Sequence, residues 1–215
     1  MSELLIRIKL RASLSKRRIS HGLFGALIWC FKGSGVPSPN YIKWRTLESK
    51  FIRNSICIET GTYLGETTKR LSKKYPKVIS LEPNETLFNF TKGRFKNRDK
   101  IQILKGQSQD FLSEVLKSID EGSSVNFWLD GHFSGGITFK GEMNTPIVEE
   151  LATIKSQIIR FSQVVIAIDD FRDFKFNREN DYPTRAWLVE WSNKNGFEFD
   201  CRNDIFFMEK RGRFK

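Results

Sequence analysis

Ile56-Cys57-Ile58-Glu59-Thr60-Gly61-Thr62-Tyr63-Leu64-Gly65-Glu66-Thr67-Thr68 is the stretch whose reading decides the fold. An apolar run ends on a carboxylate, crosses two glycines four residues apart and opens into a helix-forming segment. That pattern belongs to a buried parallel strand whose carboxyl end offers a turn to a small polar ligand. Gly61 and Gly65 have no Cβ, so the backbone there can approach a ligand closely and turn through conformations other residues avoid. Glu59 sets a negative charge where a ligand's ammonium or hydroxyl can be held. Gly61 is followed by Thr62 and Tyr63, so the G-x-G-x-x-G pattern of nicotinamide dinucleotide sites is absent.

Outward from this stretch, strand and helix patterns alternate. Strand-like runs are Ser55–Thr60, Lys77–Glu82, Ile101–Leu104, Ser124–Asp130 and Gln163–Asp169. Amphipathic stretches at Glu66–Lys74, Glu85–Lys96, Ser108–Ser118 and Pro146–Phe161 separate them. Repeated strand–helix–strand crossovers predict an α/β fold, a doubly wound parallel sheet with helices on both faces. A helix over Pro183–Asn195 follows, then strand-like runs at Phe197–Cys201 and Asp204–Glu209. The short Arg202-Asn203 connection predicts a C-terminal antiparallel hairpin.

The chain has 215 residues, 39% of them hydrophobic and 19 of them phenylalanine. A single domain of this size buries about 70% of its unfolded surface, which excludes general disorder. The net charge of +11 is lopsided, because residues 1–53 carry +9 and the rest only +2. Gly33-Ser34-Gly35-Val36-Pro37-Ser38-Pro39-Asn40 is dense in breakers, so residues 1–40 read as a basic arm and 41–215 as the main domain. Within the arm, Leu4 to Phe31 reads as helical cover or an interfacial anchor, and Tyr41 to Phe51 as a helix leading into the first strand. A one-sided basic arm suggests either a solvated basic face or an anionic partner, such as a membrane surface met by residues 1–32, a nucleic acid or an acidic glycan. The apolar run Leu23–Phe31 falls far short of the ~20 residues of a spanning helix. Cys30, Cys57 and Cys201 form no C-x-x-C pair and read as buried thiols in a reducing compartment. The expected location is therefore cytoplasmic, peripheral at the inner membrane face.

Carboxylates cluster at the predicted strand ends. Glu59, Glu82, the Gly106-Gln107-Ser108 turn and Asp130 sit where open α/β sheets bind ligands. Glu82 can accept from both hydroxyls of a ribose, and Gln107 and Ser108 can address an adenine edge, although Ser108 also reads as a helix N-cap. Asp130, Asp169 and Asp170 end adjacent strands, and a hard cation such as Mg²⁺ would relieve their mutual repulsion. His132, two residues past Asp130, has an imidazole suited to proton removal near neutral pH. Gly135-Gly136 and Lys140–Pro146 read as a loop over the pocket, and Glu149 and Glu150 as helix residues that are solvated or partner basic side chains.

Taken together, Glu59-Thr60-Gly61-Thr62-Tyr63-Leu64-Gly65, Trp128-Leu129-Asp130-Gly131-His132-Phe133-Ser134-Gly135-Gly136, the Pro146–Leu151 segment and Ile168-Asp169-Asp170 resemble one family. They are similar to class I S-adenosylmethionine (SAM) methyltransferases of bacterial glycan and natural-product pathways, and distantly to the Mg²⁺-dependent macrocin-type O-methyltransferases. The resemblance covers residues 40–210 and implies a Rossmann-like, seven-stranded sheet closed by the antiparallel hairpin. It further implies SAM on Glu59, Gly61, Thr62, Gly65, Glu82, Gln107, Ser108 and Asp130, and Mg²⁺ on Asp130, Asp169 and Asp170. His132 and Asp130 would act in catalysis on a small-molecule or glycan hydroxyl. Gln107 stands where many relatives carry Asp, and the Asp130-to-Asp169 connection is longer than in macrocin-type enzymes.

A second reading is a nucleic-acid-binding protein or RNA methyltransferase that uses the basic arm. Against a nucleic-acid partner, the arm's aromatics (Phe24, Trp29, Phe31) cluster apart from its basic residues, and no Asn-Pro-Pro-Tyr-like motif is present. A membrane-surface accessory protein is a third reading. A nicotinamide enzyme is disfavoured by the glycine spacing and the terminal hairpin.

Overall fold

The structure, a computed structural model, describes residues 3–20, 22–130, 145–175 and 182–211. Seven strands form one sheet in the order β3-β2-β1-β4-β5-β7-β6. They are β1 (Ile56–Thr60), β2 (Lys77–Glu82), β3 (Ile101–Lys105), β4 (Ser124–Leu129), β5 (Gln163–Ile168), β6 (Glu198–Arg202) and β7 (Ile205–Arg211). The first five are parallel, and β7 runs antiparallel to both β5 and β6. The fold is the expected Rossmann-like doubly wound sheet with a terminal hairpin. Strand order reverses between β1 and β4, and the crevice beyond that reversal is where such sheets take ligands.

Helices α1 (Glu3–Ser20), α2 (Leu23–Phe31) and α3 (Asn40–Lys50) precede the sheet. The crossover helices are α4 (Glu66–Leu71), α5 (Glu85–Phe95), α6 (Ser108–Lys117) and α7 (Ile147–Gln157), and α8 (Arg185–Lys194) precedes the hairpin. Several run shorter than their amphipathic pattern; α7 gives way to a 3₁₀ turn at Ile158–Arg160.

Strand alternation builds two cores. On β5, Val164, Ile166 and Ile168 face a cluster with Leu112 and Leu116 of α6, Leu151 and Ile154 of α7 and Leu188 of α8. Val165 and Ala167 point the other way, to Leu47 of α3, Leu71 of α4 and Trp128. Both faces are covered, so the strands read as continuous apolar runs. A third, smaller cluster packs Leu10 and Leu14 of α1 against Leu64 and Leu87, which fixes α1 to the domain. Of the three thiols expected inside, only Cys57 is buried; Cys30 and Cys201 are exposed.

The central strand carries one polar anchor. Asn126, fully buried in β4, accepts from the Ile52 amide (2.9 Å), donates to the Ile52 carbonyl (3.0 Å) and also donates to the Ser55 hydroxyl. It pins the link between α3 and β1 to the sheet. The hairpin turn Asn203-Asp204 lies one residue beyond the expected position, with both residues at positive φ as a two-residue hairpin turn requires. Asn203 donates to Thr46 of α3 (2.7 Å), so the chain's last turn touches its third helix.

Asn126→Leu should destabilise the protein by about 2–3 kcal/mol, because the partly buried Ile52 amide and carbonyl and the buried Ser55 hydroxyl all lose a partner. Urea unfolding followed by circular dichroism measures this; a change under about 0.5 kcal/mol would show the anchor to be dispensable.

Candidate functional site

Parallel pairing sets the rim. Thr60 pairs with Leu81 and Leu129, Glu82 with Lys105, and Leu129 with Ile168, so the next residue of each strand emerges along one edge. The Asp130 amide bonds the Thr60 carbonyl and the Asp169 amide bonds the Leu129 carbonyl, each at 3.1 Å. These two hydrogen bonds place both aspartates beside the β1 turn.

That turn is tied down by backbone. The amides of Gly61 and Thr62 both reach the Leu81 carbonyl, and the Tyr63 amide reaches Glu82 Oε2 (2.7 Å). Gly61 has φ of +85° and Gly65 +73°. A Cβ on Gly65 would also lie 2.6 Å from the Phe95 ring, so glycine is required there for conformation and for space. Tyr63, at φ +48°, holds a conformation unusual for a bulky residue, the sort of outlier that tight structure around a site sustains.

Glu59 is 1% exposed at the base of the resulting cleft. Its Oε2 accepts from the hydroxyls of Thr68 (2.5 Å) and Ser80 (2.6 Å). Burial pushes its carboxyl from the usual 4.5 up to about 7; the two hydroxyls oppose the shift and the charge of Glu82 adds to it. Glu82 is raised to about 7 as well, again by burial, against the pull of the Asn84 and Tyr63 amides. Its two oxygens each accept one of those amides, which leaves each a further lone pair.

The cleft, about 60 Å³ in its interior, is lined by Glu59, Gly61, Thr62, Gly65 and Asp130 together with Asn40 and Trp44 of α3. Glu82, Gln107 and Ser108 follow neighbouring strands but lie outside that lining. Gln107 is the residue that caps α6, and its Oε1 accepts from Gln109 Nε2 (2.9 Å). Ser108 is the first helical residue and not the N-cap. His132 and the loop expected over the pocket lie outside the described residues, except Thr145 and Pro146. Glu150, expected in solvent or beside a basic residue, is not in solvent but buried.

The residues that sequence reasoning missed come from α3. Lys43, 6% exposed, sends its Nζ to Asp169 Oδ1 (2.5 Å) and Asp170 Oδ1 (2.6 Å). Trp44, its neighbour, donates to Thr67 Oγ1 (3.1 Å) on the other side of the rim. Arg172 donates to Asp170 Oδ1 (2.7 Å) and to Asp204 of the hairpin turn. Burial disfavours the Lys43 ammonium, but Asp169, Asp170 and Asp130 outweigh it and push its pKa up. Burial and the neighbouring Asp130 charge push Asp169 upward, with Lys43 pulling against them. Asp170 itself sits at φ +52°, left-handed backbone that an aspartate tolerates better than most residues.

Two ligands can be tested against this geometry. The chemistry of the cleft suits a cationic ligand: it offers buried carboxylates, a glycine turn for close approach and no described cation among its lining residues. A divalent metal fits less well. Carboxylate oxygens of Asp130, Asp169 and Asp170 do lie within 4.8 Å of one another. Yet Asp169 Oδ1 already accepts from Lys43 and the Asp170 amide, and Asp170 Oδ1 from Lys43 and Arg172. Protein cations thus already neutralise two of the three aspartates, Lys43 at Asp169 and both Lys43 and Arg172 at Asp170.

No family model and no curated protein matches the chain. Among solved structures it is similar to a candidate SAM-dependent methyltransferase from Methanococcus maripaludis, with 14% identity, a TM-score of 0.52 and coverage of 96% of this chain and 94% of that one. It is also similar to a candidate rRNA methylase from Clostridium thermocellum, at 11% identity, TM-score 0.53 and coverage of 79% and 95%. A third is a candidate methyltransferase from Streptococcus mutans in complex with SAH, at 16% identity, TM-score 0.50 and coverage of 81% and 98%. At these identities the likeness establishes the fold, and the fold is that of proteins described as SAM-dependent methyltransferases.

Proposed function

We propose that this chain is a SAM-dependent O-methyltransferase acting on a hydroxyl of a sugar or glycan precursor. The cleft at the β1/β4 reversal carries the reading, because Glu59, the Gly61–Gly65 turn and Asp130 meet there. Glu59 would hold the methionine ammonium, Glu82 the ribose hydroxyls, and Gln107 with Ser108 the adenine edge. Bound there, SAM supplies an electrophilic methyl group, whose bond to sulfur breaks as its bond to the acceptor oxygen forms. Asp130, which lines the cleft, orients the acceptor hydroxyl, and His132 takes the hydroxyl proton. Most of the acceleration would come from alignment of the two reactants at the rim. The acceptor class rests on the resemblance of the Trp128–Gly136 and Pro146–Leu151 stretches to glycan methyltransferases. The divalent cation drops out of this reading, since Lys43 and Arg172 already hold the aspartates.

The exposed face of α2 favours a lipid over a nucleic acid as the partner of the basic arm. Phe24 is 65% and Phe31 91% exposed, beside Leu23 and Leu27, with Arg7, Lys9, Arg11, Lys16 and Lys32 also at the surface. Apolar side chains flanked by cations suit the headgroup boundary of an anionic bilayer. Among the described residues no helix is long and apolar enough to cross a membrane.

Calorimetric titration with SAM should give one site, and Glu82→Ala should weaken it at least tenfold; absence of heat with the wild type would sink the assignment. Because burial holds Glu59 and Glu82 protonated up to about 7, SAM affinity should rise between pH 6 and 8. The ligand-free protein should behave oppositely. The raised carboxyl pKa of Glu59 stabilises the fold fully below 4.5, and that stability is lost as pH rises through about 7. Urea midpoints should therefore fall less over this range in Glu59→Gln than in wild type, and parallel slopes would refute the shift. For the arm, full-length protein should sediment with phosphatidylserine vesicles, and Phe24→Ser/Phe31→Ser should lose most of that binding. Wild type left in the supernatant, or retained only by RNA, would exclude the membrane.

A further inference from the structure

By position in the chain Lys43 belongs to the basic N-terminal segment; by position in the fold it belongs to the acid cluster. We infer that the Lys43 ammonium is the resident cation of the Asp130–Asp169–Asp170 cluster, that it keeps a divalent metal out, and that it holds the acceptor oxygen during transfer. The last part rests on the methyltransferase reading; the first two do not.

The geometry supports each part. An ammonium offers three donors. Two of those on Lys43 go to Asp169 and Asp170, and the third has no partner among the described residues. Lys43 is almost wholly buried, so little water competes for that N–H. The Oδ1 atoms it contacts each take a second donor, the Asp170 amide at 2.8 Å and Arg172 at 2.7 Å. A Mg²⁺ ion approaches its oxygens to about 2.0–2.1 Å and draws on lone pairs that are not already donated to. At these Oδ1 atoms it would have to displace the ammonium, and at any oxygen of Asp169 or Asp170 it would have to tolerate the Lys43 charge alongside.

Nor is Lys43 free to swing away easily. Its helix is held by Leu47 in the core, by Trp44 on Thr67 and by Thr46, which accepts from Asn203 in the hairpin turn. Asp204 of the same turn grips Arg172, the second cation on Asp170. The acid cluster is thus enclosed by a lysine and an arginine that separate elements hold in place. A fixed ammonium can stabilise charge that develops on an acceptor oxygen, as preorganised donors do. Unlike a bound dication it does little to acidify the hydroxyl, so the proton must pass to a protein base during the attack.

The test is Mn²⁺ binding to the metal-free full-length protein, followed by the loss of the free-ion paramagnetic resonance signal. Wild type should bind no Mn²⁺ at the cluster, whereas Lys43→Met, which preserves the aliphatic packing, should bind about one equivalent at least tenfold more tightly. Adding Asp169→Asn to the Lys43→Met protein should abolish that binding. Lys43→Arg, which keeps the charge, should exclude the ion as wild type does, and Lys43→Gln, neutral yet able to donate to the aspartates, takes the place of Lys43→Met if that variant does not fold. One equivalent bound by wild type as tightly as by Lys43→Met would overturn the inference. So would no binding by a folded Lys43→Met, because the lysine would then not be what keeps the ion out. SAM titration of the same proteins separates either outcome from failure of the methyltransferase reading.

Discussion

Parallel pairing forces five successive strand ends onto one rim, and everything at the site follows from the crowding this creates. Glu59, Glu82, Asp130, Asp169 and Asp170 all follow from strand ends set by the register. Carboxylates packed this closely in a dry crevice cannot all stay ionised without compensation. The protein relieves them in two ways. On the β1–β2 side it uses neutral donors, two hydroxyls on Glu59 and two backbone amides on Glu82, which leaves both carboxyls raised to about 7. On the β4–β5 side it uses Lys43 and Arg172.

This division suits the two halves of the proposed reaction. The half with raised carboxyls is short of positive charge and complements a ligand that brings its own, as a sulfonium amino acid does. The half neutralised from within suits an uncharged acceptor hydroxyl. Removing either protein cation would expose buried charge, which is a larger perturbation than deletion of a surface ion pair.

The N-terminal segment takes on two roles. Its first helix lies on the domain through Leu10 and Leu14, and the first two turn apolar and basic side chains outward. Its third helix enters the site, with Lys43 in the acid cluster and Trp44 on the cleft. One helix therefore borders both halves of the site. The C-terminal hairpin turn braces the same helix through Asn203 and the same cluster through Asp204, so α3 and the hairpin converge on the β5 rim.

Strand periodicity, the glycine pair at 61 and 65 and the carboxylates that end apolar runs are local properties. They were enough to read five parallel strands, the hairpin and the rim on which Glu59, Glu82, Asp130 and Asp169 emerge. Helix ends were less legible, because capping and 3₁₀ tightening depend on what each terminus meets; Ser108 proved to be inside α6 for that reason. The burial of Glu150 was hidden too, since a glutamate in a helix reads the same whether or not the fold covers it. Sequence by itself determined the layers, their order along the chain and the residues carried to one edge, because those follow from the two-residue and 3.6-residue periods of the backbone. Only tertiary structure decided the countercharge. Lys43 lies 126 residues from Asp169, and nothing in its neighbourhood distinguishes it from the other cations of a basic segment until α3 packs against the sheet.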